Sequence, residues 1–364
     1  MLRLPRSPRA LAGSALVGAL ILTTLVGHGD TASPAPLAAP APPPEASATP
    51  TPTPSATFEG DPAPLTGIPT TDADLLARRL VAVKIDNHVK ARPQTGINQA
   101  DGVMELIVES GLTRFIALFH TSDLDEVGPV RSGRPTDPTI VRPLQATLLI
   151  SGAQPWIINL IRNTGVPLFV DIGEDVTFRS RARYAPHNLY GNTVALRGAA
   201  AARGIDDSPP PAWFARPNDL RGKSSDGTPT TQASLQWSEE TNVTWDLFDG
   251  RWFRTINGVS SMTIEPDGTQ ARIEADHLVV LGARRYTARS PVDGGGLPAL
   301  DTVGNGAAWV LIGGDNPRVL EGTWSRDQVS DLPVLVDQHG AEIVIPVGRL
   351  WVSWFPSNRT PVFS

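Results

Sequence analysis

The run G-V-M-E-L-I-V-E-S-G-L-T-R-F-I-A-L-F-H-T, residues 102–121, decides how the folded part of the chain is read. Two apolar stretches, 102–110 and 113–121, meet at Ser110-Gly111-Leu112, which predicts a β-hairpin. Side chains alternate across a strand, so Glu105, Ile107 and Glu109 share one face and Met104, Leu106 and Val108 the other. On the return strand Arg114, Ile116, Leu118 and His120 share a face, which is the glutamates' face if the connecting loop has an even number of residues. Glu105 and Glu109 then lie about 13 Å apart along the strand, wide for a glycosidase pair, which needs roughly 5 to 10 Å. A cross-strand ion pair between Glu109 and Arg114 is the simpler reading.

Upstream, R-L-V-A-V-K-I-D-N (79–87) is an apolar, β-branched run that predicts a strand delivering Asp86, Asn87 and His88 to a loop. Downstream, 145–151 and 166–172 read as strands, and 155–163 as a helix opened by proline. An alanine-rich helix over 193–203 ends at Gly204. Strands alternating with helices predict an α/β layered domain over 64–205. Residues 206–231, with Pro209-Pro210-Pro211, break the pattern as a linker. From 232 to 360 short strands dominate, joined by turn pairs such as Asp249-Gly250, Asp267-Gly268 and His339-Gly340. The fold class is therefore α+β, a layered N-terminal domain followed by a β-rich C-terminal one.

The 364 residues suit two such domains, and with 40% hydrophobic and 19% charged residues most of the chain can fold. A net charge of −6 argues against a protein that coats nucleic acid. No cysteine is present, which removes disulfides, thiolate nucleophiles and zinc–cysteine sites. Lys84, Lys90 and Lys223 are the three lysines, so nearly all positive charge is guanidinium. At the start of the chain, Arg3, Arg6 and Arg9 precede an apolar run over 11–27, the pattern of an export signal or an N-terminal membrane anchor. Its flanking arginines place the remainder outside the cytoplasm. Residues 28–57, with nine prolines, read as a disordered, semi-rigid spacer.

Two further motifs carry possible chemistry. G-P-V-R-S-G-R (128–134) sets Arg131 and Arg134 three residues apart around Ser132 and Gly133, a fork for a carboxylate or phosphate, or a lock on Glu105 or Glu109. Y-A-P-H-N-L-Y (184–190) offers His187 as general base, metal ligand or orienting group, with Asn188 beside it. No nucleophile elbow, zinc-protease or Walker sequence occurs, and no cofactor or metal is implied. The seven tryptophans from Trp237 to Trp354 read as β-core residues.

Together the segments P-L-T-G (64–67), V-A-V-K-I-D-N (81–87), A-R-P-Q-T-G (91–96), Q-A-D-G-V-M-E-L-I-V-E-S-G-L-T-R-F (99–115), G-P-V-R-S-G-R, A-P-H-N-L-Y (185–190), E-G-T-W-S-R (321–326) and G-R-L-W-V (348–352) resemble the YerB-like family of bacterial lipoproteins. The resemblance covers roughly 64–356 and implies an envelope location and a two-part domain of unknown function. Relatives commonly carry a lipobox cysteine; its absence here leaves secretion or a transmembrane anchor. The expectation is an exported envelope protein that binds an anionic or glycan-like ligand through Asp86, Asn87, Arg92, Gln94, Arg114, Arg131, Ser132, Arg134 and Asn188. The alternatives are an envelope hydrolase or transferase using Glu105 or Glu109 with His187, and a purely structural interaction module. A cell-wall or other envelope component is the expected partner, with no nucleic acid; oligomeric state is open.

Overall fold

The computed structural model describes residues 59–173, 175–217 and 227–364. The expected export segment, the spacer and residues 218–226 of the expected linker lie outside the described residues. Strand predominates and helices are few and short. In the first half, β1 (Val81–Ile85), β2 (Gly102–Ile107) and β3 (Thr113–Phe119) are buried along their whole length. They are followed by α1 (Asp137–Val141), β4 (Thr147–Ile150), α2 (Pro155–Asn163), β5 (Leu168–Val170) and α3 (Thr193–Ala202). The expected helices at 155–163 and 193–203 form as read, the second capped where the Asn192 side chain accepts the Ala195 N–H at 2.9 Å.

The second half contributes β6 (Gln232–Gln236), β7 (Asn242–Phe248), β8 (Arg251–Ile256), β9 (His277–Arg289), β10 (Gly304–Ile312), β11 (Arg318–Arg326) and β12 (Leu350–Pro356). The main sheet runs Thr228–Pro229, β11, β10, β9, β12, β2, β3, β1, β4, β5. Near its middle β12, from the end of the chain, lies parallel to β2, so one sheet is built from both halves of the sequence. A smaller sheet places β8, β7 and β6 side by side. The tryptophans join the two sheets. Trp351 of β12 packs edge-on against Phe115 of β3 at 5.0 Å and against Trp245 of β7 at 5.1 Å. Trp237, Trp245, Trp252, Trp324, Trp351 and Trp354 are all buried, as core residues of this size should be. Among the described residues no helix is long and apolar enough to cross a membrane.

The hairpin forms, but its faces differ from the expectation. Residues 108–112 make a five-residue connection, an odd number, in which Ser110 (φ 56°) and Gly111 (φ 68°) turn the chain through left-handed conformations. Glu105 therefore stands opposite Phe115 and Arg114 opposite Leu106. Arg114 occupies the face away from Glu105, and Glu109 leaves the strand altogether. The expected Glu109–Arg114 pair is replaced by one between Glu109 and Arg134.

Candidate functional site

The two faces of β1–β3 carry different clusters. On the face of Glu105, the carboxylate is fully buried and saturated. Its Oε1 accepts from Thr113 Oγ1 and from Arg254 of β8, each at 2.6 Å, while Oε2 accepts from Trp351 Nε1 at 2.9 Å. Asn87 donates to Thr113 Oγ1 at 2.8 Å, and Arg92 and Gln94 donate to Asn87 Oδ1, each at 3.1 Å. Asn87, Arg92 and Gln94 thus tie the loop after β1 to this network. They position the loop, and Glu105 is kept from any ligand.

The opposite face collects Lys84, Asp86, Glu109, Arg114, Arg131, Arg134 and Asp137. The segment after Gly128 brings these groups together: Asp86 N–H donates to Pro129 O at 2.8 Å, Arg131 N–H to Lys84 O at 2.8 Å, and Val130 N–H to Leu189 O at 2.6 Å. The glycines of G-P-V-R-S-G-R serve this packing and not a ligand's approach. A Cβ on Gly128 would fall 2.8 Å from the Tyr190 ring, and one on Gly133 would fall 3.1 Å from Ile150 Cδ1. Leu189–Gly191, lying against that segment, sets His187 over Asp86. His187 Nδ1 lies 2.7 Å from Asp86 Oδ2, with Arg131 Nε 3.2 Å from the same oxygen. Asp86 is 3% exposed, His187 12% and Arg131 21%, so the cluster opens towards solvent through the arginine and the imidazole. His88 stacks on His187 at 4.7 Å, and its Nδ1 accepts the Lys90 N–H, which leaves Nε2 to carry the proton. Burial, and then the neighbouring His187, hold the His88 pKa below its ordinary value.

Charge on this face does not balance. Lys84 pairs with Asp137 at 2.6 Å with both side chains fully buried. Arg134 Nε sits 2.6 Å from Glu109 Oε1, its backbone N–H donates to Asp137 Oδ2 at 2.8 Å, and Arg131 takes Asp86. Arg114 is the remaining cation. It is 7% exposed, donates only to the Ser132 carbonyl at 3.0 Å, and has no carboxylate partner among the described residues. Its Nε is buried without a hydrogen bond. Burial above all, and then the Arg134 charge, lower its pKa to about 10. Burial outweighs Asp137 at Lys84 as well and brings that amine down to about 8. Burial alone would raise the Glu109 carboxyl, but the Arg134 guanidinium more than offsets this and holds it low. The Ser132 hydroxyl is 3.5 Å from that of Ser151, which lies just before the amino end of α2.

Of the residues expected at the site, Asp86, Arg114, Arg131, Ser132, Arg134, Glu109 and His187 converge here. Glu105, Asn87, Arg92 and Gln94 belong to the other face. Asn188 is engaged with its own loop, through Ser180 and Arg179. Lys84, Asp137, Ser151 and Arg254 were missed. Lys84 carried a signal, a lysine inside a strand of buried aliphatics; Arg254 carried none, since its partner lies 149 residues away.

The family model described as "Protein of unknown function (DUF3048) N-terminal domain" matches residues 65–206, and its C-terminal counterpart matches 233–352. A Bacillus subtilis (strain 168) protein named "Putative lipoprotein YerB" is 25% identical over 302 residues, 81% of this chain and 86% of that protein. The crystal structure of YerB from Bacillus subtilis superposes with a TM-score of 0.69 at 22% identity, covering 83% of this chain and 99% of that one. With both family parts matched in order and the same fold in a solved relative, this chain belongs to the YerB-like family of DUF3048 proteins.

Proposed function

We propose that this chain is an exported envelope protein whose N-terminal part, a layered α/β unit, binds an anionic envelope component through a phosphate or carboxylate group at Arg114, Arg131 and Ser132. One observation carries the reading: Arg114 is a buried guanidinium with no carboxylate partner among the described residues. A buried charge left unpaired is costly, and an incoming anion would neutralise it in a site of low dielectric. Arg131, a fifth exposed, offers a second fork to the same group. The apolar run over 11–27 and the lipoprotein name of the relative support the envelope location. Isothermal titration with glucose 6-phosphate, against glucose as control, tests the binding. A saturable heat for the phosphate ester alone is the expected result, and equal silence from both ligands counts against it.

A second reading has its own observation. The Asp86–His187 contact of 2.7 Å orients the imidazole and leaves Nε2 without a protein partner among the described residues, the arrangement of a general acid or base. In that reading His187 acts on a ligand held by the arginines. Neither glutamate takes part, since Glu105 is sealed and Glu109 is paired with Arg134.

A further inference from the structure

A cavity of about 460 Å³ opens beside the loop after β1, between that loop, the 108–112 turn and the tip of the smaller sheet. Its volume is in the range of small-molecule sites. Arg92 and His88 form one wall, and Leu112, Ile256, Val259 and Met262 give it apolar sides. Arg92 donates through Nε and one terminal nitrogen to Asn87 and has no carboxylate partner within ion-pair distance among the described residues. Its nearest carboxylate network, around Glu105, is already filled by Arg254, Thr113 and Trp351. His88 brings a second donor, the Nε2–H left by its contact with Lys90 N–H. On the apolar side Val259 and Val89 are each 67% exposed, large side chains that nothing in the described chain covers. Glu240, exposed to solvent, is the one acidic lining group and lies at the rim by Gly111.

We propose that this cavity binds a small amphiphilic anion, with its carboxylate or sulfonate on Arg92 and His88 and its apolar body against Ile256, Val259 and Met262. Charge complementarity selects the anion, since Arg92 is the cation among the lining residues and Glu240 is screened by water. Apolar area beside a single charged head selects against sugars and inorganic ions. This site adjoins the Arg131–His187 cluster through the stack of His88 on His187, but none of Arg114, Arg131 and Ser132 lines it.

The test uses naphthalene-1-sulfonate as probe and naphthalene-1-methylamine as its cationic counterpart, titrated into the protein and followed by fluorescence and calorimetry. With the Arg114 site first saturated by inorganic phosphate, one sulfonate is expected to bind per chain, with the amine at least about tenfold weaker. Arg92→Gln should weaken the sulfonate by about tenfold, the usual scale for one lost hydrogen bond between charged groups. Val259→Glu, at an exposed position that leaves the fold intact, should weaken it comparably. Arg114→Met should leave it unchanged. Absence of sulfonate binding, equal binding of the amine, or full affinity in Val259→Glu would overturn the proposal, whatever happens to Arg92→Gln.

Discussion

The three central strands β1–β3 carry buried charge on both faces, and the two faces dispose of it in opposite ways. On the Glu105 face the one buried carboxylate is matched: it receives a guanidinium, a hydroxyl and an indole N–H and is sealed beneath the second sheet, while the spare cation of that face, Arg92, is held by Asn87 at the edge of the network. On the Arg114 face three carboxylates, Asp86, Glu109 and Asp137, meet four cations, Lys84, Arg114, Arg131 and Arg134, and the cluster opens at Arg131 and His187. The closed face joins the two halves of the sequence, because Arg254 and Trp351 come from the C-terminal part. The open face is made by the N-terminal part alone. Buried polarity that is fully satisfied specifies structure; buried polarity left with a surplus is where a ligand can act.

The comparison is sharpest at Arg254. Arg254→Met strands Glu105 in the core, and loss of one side of a buried pair costs about 3 to 5 kcal/mol. Urea unfolding should show that loss, while the anion site on the other face keeps its affinity if the variant is measured below its melting point. A cost under about 1 kcal/mol would mean that the closed network does not hold the sheets together.

A smaller effect follows from Lys84. Its folded-state pKa is lowered from 10.5 to about 8, so between those values the unfolded chain holds more protons than the folded one. This group's contribution to stability is therefore least favourable below pH 8 and improves as pH rises towards 10.5. Anion affinity moves the other way, because deprotonation removes a positive charge from the open face. Titrating sulfate, whose own charge is constant over this range, at pH 7 and pH 9.5 should show affinity falling a few-fold. Affinity that is level or rises with pH would separate Lys84 from the site.

How far the sequence carries the argument depends on the range of the interaction. β1, the hairpin and the helices at 155–163 and 193–203 were legible because periodicity, proline and caps act within a few residues. The convergence of Asp86, Arg131 and His187 was legible only as a set of motifs without a geometry. Which hairpin faces meet depends on loop parity, which the sequence leaves open, and the turn holds five residues. The Glu105–Arg254 pair and the pairing of β12 with β2 were out of reach, since contacts across 149 residues and between parallel strands leave no local trace.

The central claim, that Arg114 is held unpaired to receive an anion, is tested most directly by melting the parent and Arg114→Met with and without inorganic phosphate. Arg114→Met orphans no carboxylate, so its stability without phosphate should lie within about 1 kcal/mol of the parent or above it. Phosphate at tenfold its dissociation constant should stabilise the parent by about 1.4 kcal/mol, a rise of about 3 °C, and should leave Arg114→Met unmoved. An equal rise in both proteins, or a severe loss of stability in Arg114→Met alone, would contradict the account.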